Sequence, residues 1–341
     1  MNRITTQDIA DRLGISRSTV SKALNGRSKI DLRTKDLIQK TADEMGYKRL
    51  AFEKMEAARE AKTFTIIIQD SLYSDPYWSS FIKCFGLEAS KRNIKYTIAM
   101  IDPELEARLL LPREFSPDSP SGIVTIGPIS EEYYRLLQGT GIPAVFVDTA
   151  IGIDDAYIFG DTLLMCNQEH VYEMTRHLIL KGHKKLGFVS TQLSCRSLYE
   201  RWNGFVGALR AHDIPIESKF IYGTNPGEAA EGIRPWITSL KEFPTAFVCA
   251  NDFFAMMVKS TLNDLGMDVP RDIALCGYDA DQRLLPLYRE LTTVDSHPEY
   301  MGERALRQLI WRLENPNAPY EAIKITSKVT FKNSTEGYVF R

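Results

Sequence analysis

Cysteine and histidine are scarce in this chain of 341 residues, with five copies of each. The cysteines (Cys84, Cys166, Cys195, Cys249, Cys276) are odd in number, scattered, and form no C-x-x-C pair. A disulfide framework and a zinc site are therefore not expected, and the thiols read as reduced. His177 and His183 flank Gly182 at a separation that suits no metal-binding helix. No glycine is followed by lysine, so there is no phosphate loop of the Walker type, and no G-x-G-x-x-G, G-x-S-x-G or H-E-x-x-H occurs. No catalytic residue, metal or cofactor is expected. No stretch approaches the roughly 18 apolar residues of a membrane span. The start, MNRITTQDIADRLG, lacks the apolar core of a secretory signal. The expectation is a cytoplasmic protein with no membrane partner.

The net charge is −2, which by itself predicts no polyanionic partner. It is a sum over unlike parts. Residues 1–62 carry 14 Lys and Arg against 9 Asp and Glu, and residues 63–341 carry 28 against 35. The basic excess lies within residues 1–50, at 11 against 6. A basic amino-terminal piece on an acidic body points to a nucleic-acid-binding arm. The length, at roughly 150 residues per domain, allows two domains and a small appendage.

The first fifty residues show three helices. Thr5 caps the first, with Asp8 in capping-box position and Ile9, Ala10 and Leu13 on its apolar face. Gly14 makes a tight turn, Ile15 follows as a plug, and Ser16 caps a second helix from Arg17 to Leu24. Val20, Ala23 and Leu24 face inward. Arg17, Ser18, Ser21 and Lys22 face outward. Asn25-Gly26 ends that helix, and Asp31 caps a third with Leu37, Ile38, Ala42 and Met45 at helical spacing, closed by Gly46. This is the plan of a helix-turn-helix, whose second helix enters the DNA major groove.

On these residues the segment resembles the DNA-binding headpiece of the lactose-repressor/galactose-repressor (LacI/GalR) family of bacterial regulators. The resemblance places Arg17, Ser18 and Lys22 at base-reading positions; Arg17 and Lys22 suit guanine O6 and N7. Thr5, Ser16, Thr19, Ser21 and Asn25 suit phosphate contacts. The linker departs from the family, which has a proline and a hinge helix whose leucine wedges into the minor groove. Here residues 48–62 lack the proline, and Glu56 stands nearest the wedge. Their composition still favours a helix. Met55 is the expected wedge, with Leu50 or Phe52 as alternatives.

From residue 63 apolar strand runs alternate with helical segments, at Phe64–Gln69, Lys95–Ile101, Gly122–Ile126, Ala144–Asp148, Lys185–Ser190, Lys219–Tyr222, Ala246–Ala250, Ile273–Gly277 and Leu291–Asp295, with helices notably at 167–181, 201–211, 227–241, 253–266 and 298–314. Alternation of this kind predicts an α/β body of two Rossmann-like lobes with a cleft at the strand carboxyl ends. The resemblance continues through Arg201-Trp-Asn-Gly204-Phe205, Ala250-Asn251-Asp252 and Gly277-Tyr278-Asp279, and implies a periplasmic-binding-protein-like fold. The expected division is a helix-turn-helix headpiece at 1–47, a hinge at 48–62, and an effector-binding and dimerisation body at 63–341. Within the body the amino-terminal lobe spans about 63–161 and 292–323, and the carboxyl-terminal lobe about 162–291 and 324–341.

In Asp75-Pro76-Tyr77-Trp78 the aromatics, with Tyr73, are candidates to stack on a sugar ring or a base. Arg201 offers a fork of donors, and Arg196 with Arg201 would suit an anion. Asp279 and Asn251 offer acceptors and a donor. Asp252 stands open between ligand contact and capping the next helix, and Asp70 and Ser197 are weaker candidates. This chemistry favours a neutral polyol. The expected function is a repressor of a sugar-utilisation operon, homodimeric on a pseudo-palindromic double-stranded operator and controlled by a small sugar effector bound between two lobes. The alternatives are a regulator with a purine or phosphorylated-sugar co-repressor, a sugar-binding transport protein, or an α/β enzyme using Asp252 and Asp279 as an acid/base pair.

Overall fold

The computed structural model describes residues 4–24, 31–45, 62–113, 115, 120–153, 158–191, 193–223, 232–284 and 287–338. The chain divides into two compact units, Met1–Lys62 and Thr63–Arg341.

The first unit holds α1 (Thr6–Leu13), α2 (Arg17–Leu24) and α3 (Leu32–Glu44). Thr5 and Asp8 close the expected capping box: the Asp8 carboxylate accepts the Thr5 N–H at 2.6 Å, and the Thr5 hydroxyl oxygen accepts the Asp8 N–H at 3.3 Å. Gly14 takes φ +63, a left-handed conformation that a residue with a Cβ enters only at a cost. The Ser16 hydroxyl accepts the Thr19 N–H at 3.1 Å and starts α2. Asp31 accepts the Thr34 N–H at 3.4 Å before α3. Ile9, Ala10, Val20, Ala23, Ile38 and Ala42 form the core, with Leu13, Leu24 and Met45 at its margin. Leu37, expected inside, is 54% exposed. It precedes buried Ile38 by one position, and a step of roughly 100° around the helix takes it off the buried stripe. Asn25, Gly26 and Gly46 lie outside the described residues, as does the linker with Leu50, Phe52, Met55 and Glu56.

The body runs β1 (Thr63–Gln69), α4 (Asp70–Tyr73), α5 (Pro76–Lys91), β2 (Lys95–Ile101), α6 (Pro103–Ala107), β3 (Gly122–Ile126), α7 (Glu131–Gln138), β4 (Ala144–Val147), β5 (Asp161–Met165), α8 (Asn167–Leu180), β6 (Leu186–Val189), α9 (Arg196–Ala211), β7 (Ile221–Tyr222), α10 (Ile233–Ser239), β8 (Ala246–Cys249), α11 (Asp252–Asp264), β9 (Ala274–Cys276), α12 (Leu287–Glu290), β10 (Thr293–Val294), α13 (Pro298–Glu314), β11 (Ala322–Ile325), β12 (Val329–Thr330) and α14 (Asn333–Glu336). One sheet has the order β2-β1-β3-β4-β5-β11 and the other β7-β6-β8-β9. Every pairing in both is parallel. Each sheet is covered on both faces: Phe64, Ile66 and Ile68 enter one apolar cluster and Ile67 another, and Phe188 and Val189 likewise divide between two clusters. Strands buried on both faces read as unbroken apolar runs, which is why they were visible in the sequence.

Sheet membership corrects the lobe boundaries. β5 lies wholly in the first sheet, although the sequence reading ends that lobe at 161. β10 pairs antiparallel with β12 and meets the edge of the second sheet through Cys276↔Thr292 and Asp279↔Asp295, so the chain stays with the second lobe through residue 295, beyond the expected bound of about 291. The third crossing follows β11 at 325 rather than 323. The misplacement has one cause: each crossing strand pairs to its end before the chain leaves the lobe. α13 belongs to the first lobe, where buried Arg312 donates through Nε to the Asp161 carboxylate of β5 at 3.1 Å and Gln308 donates to the same group at 2.8 Å. The expected helix 201–211 begins at Arg196, which puts Ser197 and Arg201 one turn apart on α9.

Candidate functional site

The carboxyl ends of β1, β4, β8 and β9 meet at a cavity of about 480 Å³ lined by Gln69, Asp148, Asn251 and Asp279 among others. This is where ligands collect in open parallel sheets. Of the residues singled out in the sequence, Tyr77, Trp78, Ser197, Arg201, Asn251 and Asp279 line it. Asp70 and Tyr73 do not. They stand exposed on the four-residue helix α4, and Ser71 and Leu72 turn to the cavity instead.

Arg201 is held on every side. Its Nε donates to Asn167 Oδ1 at 3.0 Å, its Nη1 donates to the Ala250 carbonyl at 2.6 Å, and its guanidinium lies 3.7 Å from the Tyr278 ring centroid. Its Nη2 is 3.6 Å from Asp279 Oδ1. That gap is longer than a hydrogen bond, so a ligand hydroxyl can bridge the two groups. Asp279 sits at φ +107, beyond the end of β9. Burial pushes its carboxyl up to about 6, against the pull of Arg201. Burial likewise raises the Tyr77 phenol above its ordinary range. Tyr77 and Trp78 meet edge to face at 4.8 Å, and Trp78 also packs on Phe81 at 5.8 Å. The aromatic wall is thus anchored in the first lobe's core.

Asn251 is the cap of α11: its side-chain oxygen accepts the Phe254 N–H at 2.9 Å. Asp252, left open between cap and ligand contact, is neither. It is 2% exposed, accepts from the Thr293 hydroxyl and the Asp281 N–H, both at 2.8 Å, and does not line the cavity. Burial raises its carboxyl to about 7. It joins the start of α11 to β10 and to the segment after Asp279.

Sequence reasoning missed Asp148. It follows β4 at φ +61, accepts the Ser197 N–H at 3.0 Å, and takes the Ser197 hydroxyl with its other oxygen. Asp148 belongs to the first lobe and Ser197 to the second, so a carboxylate of one lobe caps α9 of the other. The Arg196 N–H to Thr149 carbonyl bond, at 2.7 Å, extends this seam. The signal was available, since Asp148 occupies the same strand-end position that drew attention to Asp279. The Cys195 thiol in the same seam is pushed up to about 12 by burial, with Asp148 adding to the effect, so it is no nucleophile.

In the first unit Ser16, Arg17, Ser18 and Lys22 are exposed on or beside α2, opposite buried Val20 and Ala23, while Thr19 and Ser21 are half-buried. Side chains on one face of a short helix can reach base edges together. The Thr5 hydroxyl donates to Asp8 at 2.7 Å, and the Ser16 hydroxyl is shared with Ser18 and Thr19 at 2.8 Å each. Both serve the helix starts. Asn25 and Met55 lie outside the described residues.

The family model described as bacterial regulatory proteins, lacI family, matches residues 5–49, and a periplasmic binding protein-like domain matches 175–335. The HTH-type transcriptional repressor PurR of Yersinia pestis bv. Antiqua (strain Antiqua) is 26% identical over 353 residues, covering 99% of this chain and 98% of the relative. PurR of Mannheimia succiniciproducens is 25% identical, covering 97% and 98%. The chain belongs to the LacI family of bacterial regulatory proteins. As a LacI-family member it is a DNA-binding transcriptional regulator and not an enzyme. Its fold is that of solved members along their whole length. A transcriptional regulator CelR–cellobiose complex gives a TM-score of 0.67 at 18% identity, covering 97% of this chain and 100% of the other. A lac repressor dimer bound to operator and the anti-inducer ONPF gives 0.66 at 17%, covering 98% and 99%. Among the described residues no helix is long and apolar enough to cross a membrane.

Proposed function

We propose that this LacI-family regulator represses a sugar-utilisation operon and releases its operator when a sugar binds between the lobes. The reading rests on the Arg201–Asp279 pair, held open at 3.6 Å beside the Tyr77–Trp78 wall. A planar donor fork and a carboxylate suit neighbouring hydroxyls, and an aromatic face suits the C–H face of a ring. The protein acts in the cytoplasm as a homodimer on a pseudo-palindromic site, with Arg17, Ser18 and Lys22 of each headpiece reading base edges. Effector contacts from both lobes favour one lobe arrangement. DNA affinity then changes by the difference in effector affinity between the arrangements.

A second reading has a specific support. The relatives named above are called PurR, and a purine co-repressor would use the same aromatic wall. The sign of the response separates the two. Operator affinity measured by fluorescence anisotropy should fall with a sugar under the first reading and rise with a purine base under the second. Affinity unchanged across a broad sugar panel overturns the first. In the same assay Lys22→Ala should weaken operator binding by roughly 1–3 kcal/mol and non-specific DNA much less. Equal losses would remove Lys22 from base reading.

A further inference from the structure

A second cavity, of about 690 Å³, adjoins the first and shares Asp75, Tyr77, Asn251, Phe253 and Asp279 with it. Either volume alone is within the range of a small-ligand site, about 300–1,000 Å³. Two such spaces joined at Tyr77 and Phe253 make one cleft of two compartments, named inner for the one at Arg201 and outer for the one at Glu299.

Three observations describe what the outer compartment takes. First, Phe253 in the opening turn of α11 is 52% exposed while lining both compartments. Its contact with Phe254, at 6.1 Å between centroids, leaves much of the ring uncovered. Met256 and Pro298 extend this apolar surface. Second, the polar groups around it suit hydroxyls: the carboxylates of Asp281, Asp295 and Glu299 as acceptors, and Ser80 and Gln282 as donors or acceptors. Third, among the described residues no lysine lines either compartment, and each of the two lining arginines already faces a carboxylate. Arg283 is clamped by Asp281 at 2.6 and 2.9 Å. Arg201 is held by Asn167, the Ala250 carbonyl and Asp279. A phosphate or carboxylate entering here would meet a surplus of carboxylates, Asp75, Asp279, Asp281, Asp295 and Glu299, against Arg201 and Arg283 alone.

We infer that the effector is an uncharged glycoside of two rings, the inner ring held by Arg201 and Asp279 and the outer ring stacked on Phe253. An apolar platform rimmed by carboxylates suits a hydroxyl-rich ring, and the surplus of those carboxylates disfavours the phosphorylated sugar that Arg196 and Arg201 suggested in the sequence. Arg196 faces Glu200 at 3.1 Å and lines neither compartment.

This inference rests on the sugar reading, and calorimetry on the full chain tests the two apart. The probes are maltose, cellobiose, lactose and trehalose against glucose and galactose, with glucose 6-phosphate, trehalose 6-phosphate and glucosamine as charged probes. One disaccharide should bind at least roughly tenfold tighter than its component monosaccharides, the scale of an added aromatic contact and its hydrogen bonds. Phe253→Ala should remove that margin; the residue is half-exposed, so its Tm should stay that of the wild type. Phosphorylated probes should bind more weakly than their parents. The inference is overturned if no disaccharide exceeds its monosaccharides, if Phe253→Ala keeps the margin, or if a charged probe binds best. Monosaccharides that release the operator without any disaccharide advantage defeat the two-ring inference alone. If no sugar of either length binds, both readings fall, and hypoxanthine and guanine show whether the purine reading replaces them.

Discussion

Asp279 shows how much one residue owes to its place. It follows a buried strand, takes a left-handed backbone at φ +107, and faces Arg201 across 3.6 Å. Burial raises its carboxyl to about 6, with Asp75 and Asp281 adding to the shift and Arg201 opposing it. A sugar hydroxyl donates more strongly to the carboxylate than to the acid, so effector affinity should fall as pH drops through 6. Between pH 7.5 and pH 5 the ionised fraction falls about tenfold, and calorimetric affinity should follow. Asp279→Asn should bind weakly with a flat profile. A wild-type affinity constant over that range would remove the carboxylate from the contact. Asp279 and Asn251 were singled out in the sequence because a polar residue after an apolar strand run sits at the sheet's carboxyl edge, whereas Arg201, inside α9, was singled out through the family resemblance. The same rule overlooked Asp148, and the aromatic criterion wrongly added Tyr73. Whether a side chain on a one-turn helix faces a cavity depends on packing that no local pattern states.

Elements follow the same logic one level up. The central strands and long helices were legible because sheet burial on both faces produces unbroken apolar runs. β5, β11 and β12 escaped: β11 and β12 are short, half-exposed pairings, while β5 is as long and as buried as β3 but opens on Asp161-Thr162, which breaks the apolar run. Sheet order was illegible altogether, since it is decided by contacts far apart in the chain. Glycines at helix crossings carry part of that information. A Cβ on Gly204 would stand 2.4 Å from the Gln168 carbonyl oxygen and 2.9 Å from the Tyr172 amide nitrogen, both backbone of α8. Backbone cannot yield as a flexible side chain can, so Gly204→Ala should force α8 and α9 apart and cost roughly 1–3 kcal/mol. Gly207, one turn on, is the control. Its Cβ would meet the Tyr172 ring at 3.6 Å, an ordinary contact, and Gly207→Ala should be neutral or slightly stabilising through helix propensity. Urea unfolding of the two variants checks this. Similar losses in both would mean that the α8–α9 distance is not set at Gly204, and that the R-x-x-G-F pattern reflects something other than packing.

Across the whole molecule, two buried carboxyls, Asp279 in the cleft and Asp252 behind it, stand in surroundings whose ionisation opposes folding. Asp252 and Asp279 ordinarily titrate near 3.8; in the fold they are raised to about 7 and about 6. Between those values the native chain binds more protons than the unfolded chain, so their contribution is complete below about pH 4 and is lost as pH rises through 6 and 7. For Asp252, fully enclosed by α11 and β10, the loss is on the order of a few kcal/mol. All four tryptophans, Trp78, Trp202, Trp236 and Trp311, lie in the body, so their fluorescence follows its unfolding apart from the headpiece. Denaturant midpoints should show the wild type losing stability from pH 5 to pH 8 relative to Asp252→Asn, whose side chain is neutral throughout. Parallel profiles for the two proteins would mean that Asp252 is ionised in the fold at no cost. The effector turns this opposition to use. Its hydroxyls favour the ionised cleft, so the charge that weakens the empty body strengthens the occupied one. Stabilisation by a bound sugar, read as the rise in Tm, should therefore be larger at pH 8 than at pH 5, and the excess should vanish in Asp279→Asn. A rise independent of pH in the wild type would place the ligand's polar contacts on groups that do not titrate, with Arg201 and Asn251 left to hold it.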